Sequence, residues 1–422
     1  MTIQDPGPGR TVLLRAGWQV DNVGDVAHVP GTIRALQEYG GAEVIVWALD
    51  FRAREKELLA AIYPQVQIVE GAVSDNGVPT DPDVLAAWER ADVLVHGPGA
   101  SPMLAGEIDA WVAHTGKPYG YFGVTADPVC PPTWATLAEI DQMIDSLLED
   151  YMSEDMRTRL EGAEFFYTRD SLSLKYLRSQ RLHGVRPEFG PDATFAFTYR
   201  DDAKAEAFLE QFDLTERQFG CFVPRLRYAP YPQIKGRHPT SEQQRRAALN
   251  ELTWREDLDA FAAVVTEWVR STDTPAVVVP EMSYVHEFAL AHLPERLPDD
   301  VRDRVHILDR YWPLEEMSGV YARASVVVSM DCHSPIIAAA QGTPTFYLRL
   351  PTETAKGHMY ADLGDPEMVV EINDAPRAAQ LAIAAHRDWD AASRRATALV
   401  ETANAHLRQM GAAVAARTPA LT

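Results

Sequence analysis

Short apolar runs alternate with helical patterns along almost the whole chain, and that alternation restricts it to one fold class. In the first half, residues 11–15, 43–48, 66–69, 92–96, 119–124 and 164–168 read as strands. Helical spacing at residues 27–39, 54–62, 82–90, 134–160 and 172–178 separates them. After a linker over residues 199–217, strands are expected at 220–224, 276–280, 305–308, 326–329, 345–350 and 369–372. Helices are expected there at 257–270, 285–292, 314–322 and 335–340, and a long helix fills much of 376–416. Strands joined through helices run parallel and bury both faces, which gives βαβ units and a doubly wound sheet. A chain of 422 residues exceeds what one hydrophobic core usually supports. The expected class is therefore α/β, with two Rossmann-like domains facing across a cleft. Residues 1–200 form the first domain, 201–375 the second, and 376–422 a terminal helix placed to pack back on the first.

Composition removes several function classes. The net charge of −22 opposes a nucleic-acid surface, which needs a basic footprint. Basic residues nevertheless concentrate between Arg225 and Arg246, so a local anion site is compatible with the acidic whole. Cys130, Cys221 and Cys332 are widely spaced and give neither a disulfide framework nor a metal pattern. No apolar run approaches the roughly 18 to 20 residues that span a bilayer. The first residues, MTIQDPGPGRTVLLRAGW, lack the basic start and long apolar stretch of a secretory signal. A soluble, cytoplasmic protein is expected, any membrane contact is expected to be peripheral, and nothing sets an oligomeric state.

The segment VVVSMDCHSPIIAAAQGTPTFYLRL, residues 326–350, says most about chemistry. Val326 to Val328 read as a buried strand, and Ser334-Pro335 as a helix start with Ser as cap and Pro at the first helical position. His333 then sits where open α/β sheets place ligands, beside unpaired N–H groups that attract anions. That pairing points to a phosphorylated substrate; the alternative is a histidine that fills space. The first strand runs into Gly17-Trp18-Gln19-Val20-Asp21-Asn22-Val23-Gly24-Asp25, where glycine admits a ligand and Asn22 and Asp25 bond hydroxyls, or simply cap the helix. It is no GxGxxG fingerprint, so nicotinamide binding is not expected. Gly97 and Gly99 follow the 92–96 strand and expose backbone N–H groups or make a tight turn. Asp127 follows another strand and is expected to face the cleft. Asp170 is read as a helix cap and Arg169 as the partner of a nearby carboxylate.

Arg225 and Arg227 follow the 220–224 strand with alternate spacing, which puts both guanidinium groups on one side of an extended backbone. Paired donors suit a doubly anionic substrate; the alternative is two surface arginines. Residues 229–239 read as a mobile loop over the cleft. Lys356 contacts a substrate anion or is merely solvated.

These motifs together resemble the polysaccharide pyruvyl transferase family. The resemblance rests on Asn22-x-Gly24-Asp25, Ala91-Asp92-Val93-Leu94-Val95 with Gly97-x-Gly99, and Gly116-Lys117-Pro118. It continues through Arg169-Asp170-x-x-Ser173-x-x-Tyr176-Leu177, the Pro191-Asp192-Ala193 turn, His333-Ser334-x-Ile336-x-Ala338-x-x-x-Gly342-x-Pro344, and Lys356. They occur in the family's order over about nine-tenths of the chain. The resemblance implies a GT-B-like fold and transfer of the enolpyruvyl unit of phosphoenolpyruvate to two sugar hydroxyls as a cyclic pyruvate ketal. One position departs: the family often has arginine two residues before the histidine, and here it is Asp331. Either Arg225, Arg227 or Lys356 supplies that charge, or the donor differs; Asp331 alternatively orients His333 and raises its pKa.

On this reading His333 and Asp331 are catalytic, His333 as acid/base or phosphate clamp. Arg225, Arg227, Lys356 and the N–H groups after Ser334 bind phosphoenolpyruvate. Asn22, Gly24, Asp25, Gly97, Gly99 and Asp127 hold the acceptor, a glycan or sugar on a carrier. No metal and no cofactor is expected, phosphoenolpyruvate being a donor substrate. The rivals are a GT-B glycosyltransferase using a nucleotide sugar, a related transferase with a changed donor, and a noncatalytic glycan-binding or assembly protein.

Overall fold

The computed structural model describes residues 9–128 and 134–416; Cys130 and the extreme ends of the assigned domains lie outside the described residues. The first sheet contains β1 (Thr11–Ala16), β2 (Glu43–Ala48), β3 (Gln67–Glu70), β4 (Val93–His96), β5 (Tyr119–Val124), β6 (Phe165–Thr168) and β7 (Pro187–Phe189). The second contains β8 (Gly220–Val223), β9 (Ala276–Val278), β10 (Val305–Ile307), β11 (Val326–Ser329), β12 (Thr345–Arg349) and β13 (Val369–Glu371). Their orders are β3-β2-β1-β4-β5-β6-β7 and β10-β9-β8-β11-β12-β13, and every paired neighbour runs parallel. Val12, Leu13 and Leu14 of β1 and Val326, Val327 and Val328 of β11 are all buried, as strands covered by helices on both faces must be. Both sheets reverse their order beside the first strand of the set, between β1 and β4 and between β8 and β11. Ligands of open α/β sheets bind outside the carboxyl ends of strands at that reversal.

Several local expectations need correction. The helix expected at Ser334-Pro335 starts earlier, as His333–Ala340, with Cys332 and not Ser334 at its cap position. The 257–270 pattern belongs to a 32-residue helix, Ser241–Thr272, whose leading half is largely polar and solvent-facing and so lacks an apolar stripe. The single stretch 134–160 divides into Leu137–Asp145 and Glu154–Glu161. The expected linker carries the helix Asp202–Gln211, packed on Leu314–Tyr321 of the second domain. The terminal segment also divides. Ala375–Arg387 stays on the second sheet, while Trp389–Ala415 crosses back and shares a core with Val29, Ile33 and Leu36 through Leu407 and Met410.

That return packing depends on a glycine. A Cβ at Gly411 would lie 1.9 Å from the carbonyl oxygen of Ala35, on the π-helical turn Arg34–Tyr39. Gly411→Ala is expected to separate the two helices at a cost of about 1–3 kcal/mol, the usual range for overpacking. Thermal denaturation measures it as a lowered Tm; an unchanged Tm contradicts the packing.

Candidate active site

The two switch points face each other, and main-chain bonds fix their separation. Val23 N–H donates to the Glu281 carbonyl at 2.9 Å, and Ser283 N–H donates to the Asp21 carbonyl at 2.8 Å. Asn22 and Met282 thereby form an antiparallel bridge between a loop of each domain. Farther along, Asp127 accepts from the Ala355 N–H at 2.7 Å, and Asp362 accepts from the Ser171 N–H at 2.8 Å. Between these ties lies a cavity of about 530 Å³ lined by residues of both domains, among them Asn22, Asp25, Arg225, Arg227, Asp331, His333 and Lys356.

His333 is buried at the floor of this cavity. Its Nδ1 lies 3.2 Å from Glu281 Oε1, 3.7 Å from Asp25 Oδ1 and 4.0 Å from Asp331 Oδ1. Glu281, not Asp331, is therefore the nearest carboxylate that orients the ring. Glu281 also accepts the Ser334 N–H at 2.7 Å and the Ser334 hydroxyl at 2.6 Å. The helix-start N–H expected to hold a substrate anion is thus already occupied by the Glu281 carboxyl group. Burial lowers the His333 pKa, but the Glu281 hydrogen bond and the Asp25 charge outweigh it and raise it above the ordinary value. Burial and the adjacent Asp331 push Glu281 up to about 7. Gly24 is required because a Cβ there would meet the His333 Cβ at 2.3 Å.

The cationic side chains converge as expected but mostly arrive paired. Arg225 Nη1 lies 3.0 Å from Asp331 Oδ2 and 2.8 Å from Glu353 Oε1, and Lys356 Nζ lies 2.8 Å from Glu353 Oε2. Asp331 is buried, yet the Arg225 and Lys356 charges hold its carboxyl well below the usual range. Arg227 makes a two-point pair with Asp257 at 2.7 and 2.8 Å and stacks on Trp134. Its remaining Nη1 is buried with no hydrogen-bond partner among the described residues, and the residue lines the cavity.

Other expected residues take structural places. Asn22 caps the helix Val23–Ile33 through Gly24 N–H and Asp25 N–H, and its amide reaches Asp331 at 3.4 Å, so it both caps and lines the cleft. Asp25 lines the cavity and accepts from the Gln19 amide. Gly99 lines the cavity, whereas Gly97 packs inward against Ala16. Asp127 holds Ala355 and does not line the cavity. Asp170 caps its helix through Ser173 N–H, and Arg169 pairs with buried Asp192 at 2.7 Å, as expected. The 229–239 segment is pinned across the cleft, since Tyr231 Oη accepts from Gln19 and Lys235 bridges Asp21 and Asp50 at 2.6 and 2.7 Å.

His28, Asp192 and Glu281 were not singled out as site residues. His28 follows Asp25 by one helical turn, Glu281 follows β9 at its carboxyl end, and Asp192 lies in the Pro191-Asp192-Ala193 turn, so each had a positional signal. Among the described residues, Asp25, His28 and His333, and likewise Glu281, Asp331 and His333, bring donor atoms close enough to share a cation.

A family model for polysaccharide pyruvyl transferase matches residues 22–350. The chain belongs to the polysaccharide pyruvyl transferase family. No curated protein matches its sequence. Among solved structures it resembles UDP-GlcNAc 2-epimerase from Neisseria meningitidis bound to UDP-GlcNAc, with a TM-score of 0.55 and 10% identity over 96% of this chain and 99% of that one. It also resembles Anabaena Alr3699/HepE in complex with UDP, at TM-score 0.54 and 11% identity over 96% and 97% of the two chains. A putative UDP-N-acetylglucosamine 2-epimerase from Listeria monocytogenes gives TM-score 0.54 and 12% identity over 98% and 100%. At such identities the likeness establishes the fold, which is GT-B-like. This pyruvyl transferase family member has no helix among its described residues long and apolar enough to cross a membrane.

The raised Glu281 pKa carries a stability consequence. Glu281 binds its proton more tightly in the folded chain, so that contribution is fully present below the unfolded value of about 4.5 and is lost as pH rises through about 7. Glu281→Gln keeps an acceptor for Ser334 without a titrating carboxyl. Its Tm relative to wild type should rise by a few degrees between pH 5 and pH 8; a pH-independent difference contradicts the buried titration.

Proposed function

We propose that this chain transfers the enolpyruvyl unit of phosphoenolpyruvate onto two hydroxyls of a sugar in a glycan or glycan precursor, forming a pyruvate ketal. The observation that carries the reading is the His333 imidazole on the floor of an interdomain cleft walled by Arg225, Arg227 and Lys356. Family membership supports it independently.

The reaction has two halves. In the first, C3 takes a proton, the C2=C3 π bond opens, and one sugar hydroxyl bonds to C2 while losing its proton. In the second, the C2–O bond to phosphate breaks and the second hydroxyl bonds to C2, its O–H proton leaving on the departing phosphate. His333, with Glu281 holding Nδ1, is assigned the proton delivered to C3, a role worth roughly 10²- to 10⁴-fold in rate. The free Arg227 donor takes one anionic group of phosphoenolpyruvate. Arg225 and Lys356 take the other once Glu353, which now occupies both, gives way. Asn22 and Asp25, across the cleft, hold the acceptor. Asp331 stands where the family often has arginine and acts by fixing Arg225. On this reading phosphoenolpyruvate is the donor substrate and the reaction is cytoplasmic.

Phosphate release from phosphoenolpyruvate with candidate glycan acceptors tests the reading. His333→Ala and Arg227→Ala should each lower turnover by about 100-fold or more; near-normal turnover in both removes the assignments. Asp331 in place of the family's arginine favours one alternative, a transferase whose donor has changed. Saturable UDP binding without phosphoenolpyruvate binding selects that alternative.

A further inference from the structure

His333 has a second imidazole beside it that the mechanism above leaves unused. His28, on the helix Val23–Ile33 of the first domain, places its Nε2 3.1 Å from His333 Nε2. The rings meet edge to face with centroids 4.8 Å apart at 81°. Both are buried and both line the cleft. Two imidazole nitrogens at this distance require one proton between them. If both carried one, two donors would face each other; if neither did, two lone pairs would. The bond therefore holds a single bridging proton, and it joins the domain carrying Asn22 and Asp25 to the domain carrying the cationic wall.

The surrounding charges fit a proton path better than a cation site. Asp192 Oδ2 lies 3.3 Å from His28 Nε2 and 4.0 Å from His333 Nε2. That same oxygen accepts from Arg169 at 2.7 Å, and Oδ1 accepts from the Thr194 N–H at 2.9 Å, so His28 shares the carboxylate with two other donors. Asp25 Oδ1 stands 3.9 Å from His28 Nδ1 on the same helix, and Glu281 and Asp331, the latter paired with Arg225, face His333 from the second domain. His28 Nδ1 is buried and has no hydrogen-bond partner among the described residues.

We propose that His28 is a second catalytic residue, which takes the proton of the attacking sugar hydroxyl and returns one to His333. This inference rests on the ketal-forming reading. In the first half-reaction a lone pair of the hydroxyl oxygen bonds to C2, and its O–H proton passes to His28 Nδ1. The π pair of C2=C3 takes a proton at C3 from His333 Nδ1, which leaves its hydrogen bond to Glu281. The Nε2 proton of His28 then crosses to His333 Nε2. One proton enters from the acceptor and one leaves to C3, so the pair ends with the number it began with, each ring in its other tautomer. A lone histidine has to exchange protons with water between these events; the pair does not.

The test has one arm that needs no turnover. Nitrogen-15 NMR of histidine-labelled wild-type chain at neutral pH should show one proton-bearing Nε2 and one bare Nε2 in the coupled pair. Two protonated or two bare nitrogens overturn the proposal, as does zinc or manganese present at one equivalent in the purified chain. In His28→Gln the His333 titration should shift by about one unit or more, the size expected when a strong hydrogen-bonded neighbour is exchanged. The kinetic arm compares phosphate release. His28→Gln should lower kcat by about 100-fold with little change in KM for phosphoenolpyruvate, and should lose one limb of the wild-type pH profile. An unchanged pH profile overturns the proposal. If wild-type chain releases no phosphate with any acceptor, the ketal-forming reading fails instead, and the NMR arm still decides whether the proton is shared.

Discussion

Two main-chain hydrogen bonds between Asp21–Val23 and Glu281–Ser283 determine what the rest of this molecule can do. They join a loop at the switch point of one sheet to a loop beside the switch point of the other, and so convert two binding crevices into one site. Without that tie His333 would lie at the open end of a single sheet, with neither Asp25 nor His28 within reach. With it, the imidazole receives Glu281 and Asp331 from its own domain and His28 and Asp25 from the other. Gly24 permits the approach, because any side chain there would overlap the ring of carboxylate and imidazole atoms behind it.

The site's electrostatics follow from crowding charge into a buried space. Carboxylates burdened by burial survive as anions only where a guanidinium or ammonium lies against them, which is why Asp331 sits low against Arg225. Glu281 has no such permanent cation; it has His333, a group that itself titrates, and its pKa rises to about 7. The pair is thus poised to exchange a proton near neutrality, the condition general acid catalysis requires. Arg169 and Asp192 serve the same network from below, fixing the charge beside both imidazoles.

Much of this was legible in residue order, and the reasons for the misses are specific. β1, β2, β5 and β11 announced themselves as apolar runs because parallel strands bury both faces. β7 did not, being three residues at a sheet edge that start with proline. Arg225, Arg227, Asp331 and His333 were found because strand ends at a switch point are where side chains reach ligands. The same rule misjudged Asp127, whose carboxylate is taken by an N–H of the other domain, and Ser334, whose N–H is taken by Glu281. Those partners lie 228 and 53 residues away, and no local pattern encodes them. His28 was missed because a histidine inside an apolar helix ordinarily reads as core; its partners Asp192 and His333 are far away in the sequence and meet it only in the folded chain.

The central claim is that one imidazole pair at the domain junction handles the protons of a phosphoenolpyruvate-dependent reaction. A crystal structure of the chain with phosphoenolpyruvate and a nonreacting sugar examines this most directly. The account predicts C3 of the ligand against the His333 ring, its anionic groups on Arg227, Arg225 and Lys356, and a sugar hydroxyl at His28. Phosphoenolpyruvate lodged away from the domain junction, or excluded from a cleft that instead admits a nucleotide, would contradict it.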